Sequence, residues 1–217
     1  MSELFSIQLQ NQQQSRDGVW LDLPTTTEQV QAALRQIGIS SDNPQGLFIS
    51  GYFAEEEKRF AIPYNMVLAS NVDELNFLAS RLEALSTGER AELNAALQAP
   101  QSELSSIGKI TDFPENVDYY VHLPDVHGPA QLGDYYLNRS GMVNMPEEWK
   151  GGIDTAQFGR YVAQQEQGAF TQYGYLVKSG DEWQKVHEGQ PVPEEYRVLS
   201  FPAPEVSPPN LHTMPLG

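Results

Sequence analysis

Residues 119–180 read YYVHLPDVHGPAQLGDYYLNRSGMVNMPEEWKGGIDTAQFGRYVAQQEQGAFTQYGYLVKSG, and this stretch decides what kind of fold to expect. VDYYVHL at 117–123 has the aromatic and β-branched content of a strand, and Pro124 ends it. Gly128 with Pro129 in a first-turn position starts a helix that runs through Leu132, Tyr135 and Tyr136 to Gly141. Asp154 with Gln157 three residues on forms a capping box for a second helix, which carries Phe158, Tyr161 and Val162 and stops near Gly168. AFTQYGYLVK at 169–178 reads as a single strand, with YRVLSF at 196–201 as a further strand candidate. So many aromatics imply a folded unit of mixed α and β structure.

Working outward toward the N-terminus, Phe5, Ile7 and Leu9 alternate with polar residues, NQQQSRDG breaks the pattern, and Val19, Leu21 and Leu23 resume it. The pattern predicts a hairpin. Thr25 with Glu28 marks the start of a helix through Val30, Ala33, Leu34 and Ile37, closed by Gly38, and GLFISGYF at 46–53 supplies a third strand. Two more capping boxes, Asn71 with Glu74 and Ser86 with Glu89, open helices joined by a very short linker, which forces an antiparallel pair. SELSSIGKI at 102–110 adds a short helix. The expected fold is α+β, an elongated chain of three small domains: a three-stranded sheet with one helix (1–64), a small helical domain (65–112) and a mixed α/β C-terminal domain (113–199), followed by a Pro-rich tail (200–217).

The charge balance narrows the function. Twenty-nine Asp and Glu against 13 Lys and Arg leave a net charge of -16, although only 19% of the 217 residues are charged. Such a surface repels nucleic acid and anionic membrane and favours partners with basic grooves. Zero cysteines exclude disulfides, thiolate metal sites and cysteine nucleophiles. The N-terminal MSELFSIQLQ lacks a cationic region followed by an apolar stretch, and no long apolar run occurs, so the expectation is a soluble cytoplasmic protein.

Three chemistries compete with simpler readings of the same residues. His122, Asp125 and His127 fall within six residues, but their spacing fits a polar loop after a strand better than a helical metal motif. Paired acids such as Asp73–Glu74 and Glu147–Glu148 stand near helix starts, where the dipole favours negative charge, so capping explains them without a glycosidase-like site. The tyrosines suggest a stacking platform for bases, yet residues 98–138 hold one cation, Lys109, against six acids, and aromatics without cations fit a core or subunit contact better. No catalytic residue, cofactor or metal is assigned, and the protein is not expected to be an enzyme.

LPDV, LGDYYLNRSG, MPEEW, IDTAQFGRYV and FTQYGYLVKSG, in that order, resemble the C-terminal part of ArdA-type antirestriction proteins. Leu132, Gly133, Asp134, Tyr135 and Tyr136 stand at the antirestriction motif, where many members have arginine in place of Asp134, and Phe158, Gly159, Arg160, Thr171, Tyr173, Gly174 and Tyr175 follow. GVWLDLP and SNVDELNFLASRLEALS upstream resemble longer members from Gram-positive bacteria and their mobile genetic elements, so the likeness spans about residues 18–178. The resemblance implies a three-domain protomer that forms a homodimer through its C-terminal domain. It further implies an acidic DNA mimic that occupies the DNA-binding channel of a type I restriction-modification enzyme, without binding nucleic acid itself. The alternative is a protein-interaction module, or an inhibitor of another DNA-binding defence protein, without true mimicry. A third reading, a carboxylate hydrolase, would need a deep acidic cleft holding one carboxyl of strongly raised pKa.

Candidates for phosphate mimicry are Asp112, Glu115, Asp118, Asp125 and Asp134, with Glu55, Glu56 and Glu57 on the first domain. Candidates for the core or a dimer contact are Tyr119, Tyr120, Leu132, Tyr136, Phe158 and Tyr161. A dimer would carry 58 carboxylates (2 × 29), enough for about 100 Å of duplex at one charge per ~1.7 Å of axis. Its net charge of -32 (2 × -16) matches only about 55 Å, so the cations must lie off any mimetic face.

Overall fold

The computed structural model describes residues 4–13, 17–40, 43, 45–56, 59–100 and 102–199. Glu57 and the Pro-rich tail lie outside the described residues. Helices and two three-stranded sheets make the chain α+β.

The first sheet is antiparallel with order β2-β1-β3, built from β1 (Phe5–Asn11), β2 (Val19–Leu23) and β3 (Leu47–Phe53). Phe5, Ile7, Leu9, Leu21 and Leu23 point to one buried face, as their alternation requires. Helix α1 (Thr27–Gln36) packs Val30, Ala33 and Leu34 on that face. Its N-cap is Thr26, boxed with Gln29, one residue beyond the Thr25–Glu28 pair read from the sequence. Thr25 is unavailable for capping because it is buried, with its N–H donated to Asn76 Oδ1 (2.7 Å).

A short helix that the sequence reading missed, α2 (Tyr64–Leu68), leads to α3 (Val72–Glu83) and α4 (Thr87–Gln98). Asn71–Glu74 and Ser86–Glu89 form the capping boxes expected of the last two. One apolar core joins Ile7 and Leu34 to Leu75, Leu78, Leu82 and Leu93, and then to Ile110, Phe113 and Leu176, so the core itself does not mark a boundary at 64/65.

After α5 (Ile107–Thr111), two 3-10 turns occupy 113–119, and strand β4 (Tyr120–Leu123) starts three residues later than expected. Pro114 and the Asn116 carbonyl, which accepts from Tyr119 N–H at 3.0 Å, hold the backbone in these turns. The second sheet has order β4-β6-β5. The segment read as one strand at 169–178 is a hairpin of β5 (Ala169–Thr171) and β6 (Gly174–Lys178). Gly174 turns it at φ 120, where a side chain would also come 2.4 Å from the Leu123 carbonyl.

Over this sheet lie α6 (Pro129–Asp134), extended by one π turn at Tyr135–Arg139, and α8 (Thr155–Glu166), with the single-turn α7 (Glu147–Lys150) between them. Val126, Leu132 and Tyr175 form their own small core beneath the pair. Residues 197–199, the described end of the YRVLSF strand candidate, pair with no described strand: the Val198 and Leu199 amides are taken by Asp73 of α3, and the Arg197 amide donates to the Glu194 carbonyl. Among the described residues no helix is long and apolar enough to cross a membrane.

Candidate acidic surface

The acids read as phosphate surrogates separate into three groups. Asp118, Asp125, Glu55 and Glu56 are exposed. Glu115 and Asp134 are partly covered and ion-paired: Arg81 engages Glu115, and Arg139 sits 3.3 Å from Asp134 while Asn138 donates to the same carboxylate at 2.8 Å. Asp112 corrects the sequence expectation. It is fully buried, and its carboxylate accepts from the backbone N–H groups of Val186, His187 and Glu188 at 3.3, 2.6 and 3.2 Å. A carboxylate so engaged cannot face a partner.

Pairing also removes several cations from the surface field. Lys178 and Lys109 both meet Glu103 (2.6 and 3.7 Å), Lys150 meets Glu147 (2.7 Å), and Lys185 meets Glu188 (3.4 Å). His122 is a structural residue, because its Nε2–H donates to the Tyr173 carbonyl at 2.7 Å and so joins β4 to the hairpin turn. Among the described residues no group of three or more His, Asp and Glu is arranged to hold a metal.

The motif glycines have a packing role. A Cβ on Gly133 would lie 1.9 Å from the Thr155 carbonyl oxygen, and one on Gly159 would lie 1.8 Å from that of Pro129. Helices α6 and α8 therefore touch backbone to backbone, an approach that no other residue permits at these two positions. The neighbouring tyrosines then converge on one acid. Tyr136 donates to Glu166 Oε1 at 2.5 Å and Tyr175 to Glu166 Oε2 at 2.9 Å. Burial, reinforced by the glutamate, pushes both phenols well above their ordinary range, so both stay protonated as donors.

Of the core or contact candidates, Tyr119, Tyr120 and Leu132 are buried within one chain, whereas Tyr136 and Phe158 are half-buried. Tyr161 is 59% exposed on α8.

Two features escaped the sequence reading. The first is an arm, residues 179–199, which folds back over the helices. Asn116 both accepts from Gln184 N–H (2.7 Å) and donates to its carbonyl (2.9 Å), Asn76 donates to the Tyr196 carbonyl (2.9 Å), and Asp73 Oδ1 accepts from Val198 and Leu199 (2.7 and 2.8 Å). Phe77 packs between the His187 and Tyr196 rings, with centroids at 5.0 and 4.7 Å. Side-chain-to-backbone clasps of this kind leave no periodic signal.

The second is Glu92 on α4. Burial, then the charges of Glu89 and Asp118, push its carboxyl up to about 8, and its Oε1 is enclosed without a hydrogen-bond partner among the described residues. This is the raised carboxyl that the hydrolase reading required, but it lines neither the 620 Å³ cleft under the arm nor the 260 Å³ cleft between Ala99–Pro100, the end of α8 and β6. In the larger cleft, Glu74 is already engaged in capping α3.

The molecule is thus an acidic α+β protein in which the motif glycines serve packing. A family model for antirestriction proteins of the ArdA type matches residues 13–177, and the chain belongs to that family. No individual curated protein matches it. The matched span ends just before the arm, so the clasp by Asp112, Asn116, Asn76 and Asp73 holds residues that lie beyond the family model.

Proposed function

We propose that the protein blocks a type I restriction-modification enzyme by occupying its DNA-binding channel as an acidic mimic of duplex DNA. The observation that carries this reading is membership of the antirestriction family together with a net charge of -16. Asp118, Asp125, Glu55 and Glu56, all exposed, are the principal surrogate phosphates; Glu115 and Asp134 contribute less because a guanidinium already neutralises each. Glu57 is retained as a candidate next to Glu56. Asp112 is withdrawn.

A homodimer is part of the proposal. Tyr161 on α8, with Trp149 (68% exposed) and Met142 (73%) in the preceding segment, supplies apolar surface in the C-terminal half for a contact between two copies. No catalytic step is involved: a basic channel takes up any comparably spaced set of anions, and the inhibitor wins by mass action.

The test is displacement. Labelled duplex bound to a purified type I methyltransferase at low salt should be released by the full-length protein, and a variant with Asp118, Asp125, Glu55 and Glu56 changed to Asn or Gln should release it poorly. Equal displacement by the variant overturns the mimicry, and a complex that forms without releasing duplex places the contact outside the channel.

A further inference from the structure

The outer face of the first sheet, with the start of α2 beside it, carries large aromatic side chains that remain open among the described residues: Trp20 is 49%, Phe53 54% and Tyr64 50% exposed. The strand register gathers them. Trp20 opposes Gln8, which opposes Gly51, while Asp22, Ser6 and Phe53 form the next row on the same face. A Cβ on Gly51 would come 3.0 Å from the far end of the Trp20 indole, so the ring reaches from β2 across β1 to β3, and Gly51 leaves it room. Phe53 stands edge-on to it with centroids 6.5 Å apart.

A β-bulge helps to fix the rim. The register shifts between Gln8 and Leu9, leaving Ser50 as the extra residue of β3. Its hydroxyl turns to the Gln8 side chain (3.1 Å), and its carbonyl accepts from the exposed Tyr64 hydroxyl (3.1 Å). Asp22 is fixed too. Ser6 donates to its Oδ1 at 2.8 Å, and Asp22 lies two residues from Trp20 on the same side of β2, about 7 Å along the strand.

An open indole beside an oriented carboxylate suits a guanidinium ion. Arginine stacks on aromatic faces and is weakly hydrated, and its planar fork matches a carboxylate, whereas the ammonium of lysine is a compact and strongly hydrated point charge. The geometry points to an arginine-bearing protein surface as the occupant of this face, its guanidinium stacked on Trp20 and donating to Asp22. Charge complementarity selects that occupant. No strand residue on this face is basic, Glu56 lies exposed beyond β3, and the chain as a whole carries -16. The same charge disfavours nucleic acid. A second copy would offer a face whose strands likewise hold no basic residue. The inference deepens the proposed function, since it rests on a basic protein partner and gives the first sheet a contact that phosphate mimicry alone does not require.

The test uses the full-length protein and two peptides, (Arg-Gly)4 and (Lys-Gly)4, titrated while the indole N–H signals are followed by NMR. The arginine peptide should shift the Trp20 signal and bind at least about fivefold more tightly than the lysine peptide. Trp20→Ala or Phe53→Ala should each weaken it about two- to fivefold, Asp22→Asn should weaken it as well, and Trp20→Tyr should restore part of the loss. Trp149→Ala, at an exposed tryptophan elsewhere, should leave the preference for arginine unchanged. Equal affinity for both peptides, or a preference that survives Trp20→Ala, overturns the inference; so does a change of oligomeric state in that variant, which would make a second copy the occupant. No restriction enzyme enters this assay. Its failure therefore leaves the antirestriction reading standing, and failure of duplex displacement leaves this contact standing.

Discussion

Asp112 and Glu92 show how little a carboxylate's type says about its work. Both are acids of the central region, yet one is satisfied by three backbone N–H groups while the other has a buried oxygen with no hydrogen-bond partner among the described residues. Hydrogen bonds to a charged group contribute about 1.5–3 kcal/mol each, and amides left unpaired in the interior are penalised further. Asp112→Ala should therefore lower unfolding free energy by about 2–4 kcal/mol in urea titration, whereas Asp125→Ala, at an exposed turn, should stay within about 0.5 kcal/mol. Similar losses at both positions would contradict the assignment of Asp112 to the clasp.

Glu92 makes a pH-dependent contribution of defined sign. Folding favours its protonated form, so the contribution is fully present below the ordinary value of 4.5 and is lost as pH rises through about 8. Glu92→Gln, neutral throughout, should match the native chain in thermal midpoint near pH 4.5 and exceed it increasingly from pH 5 to 9, by about 2–4 °C for each kcal/mol recovered. A difference that does not vary with pH would contradict this.

Among the elements, what was legible in the sequence and what was not divide along a physical line. Period and capping are local, so β1, β2, β3, α3 and α4 could be read directly, and Asn71–Glu74 and Ser86–Glu89 gave helix starts to the residue. Contacts between distant segments are not local. The clasp on the arm joins Asp73 to Val198, and the loss of Thr25 as a cap depends on Asn76, fifty-one residues away. The same holds at the candidate surface. Composition revealed that acids are in excess, but only the fold reveals that Asp112 is enclosed and that Asp134 shares Arg139.

The crossing of α6 and α8 offers a sharp test of the packing role of the motif. Gly159→Ala should destabilise by about 3 kcal/mol or more, because the added methyl overlaps a carbonyl of rigid backbone. Gly88→Ala in α4, where nothing lies within 4 Å, should instead stabilise by about 0.5–1 kcal/mol. Thermal melts followed by circular dichroism distinguish the two signs, and a tolerated Gly159→Ala would refute backbone contact between the helices.

For the whole molecule, the decisive property is where charge remains after internal pairing. Arg81, Lys109, Arg139, Lys150, Lys178 and Lys185 each have a carboxylate partner, which localises part of the positive charge of the molecule. Burial disfavours the charged form of Glu92, which trims the formal charge of -16. These terms shape the proposed mimicry, which depends on many moderate electrostatic contacts and not on one strong site. The measurement that tests it most directly is the dissociation constant of the complex with a type I methyltransferase between about 50 and 200 mM salt, for the native chain and for the variant neutralised at Asp118, Asp125, Glu55 and Glu56. The account predicts affinity that falls steeply with salt and a shallower fall for the variant; an affinity indifferent to salt, or identical slopes for the two proteins, would contradict it.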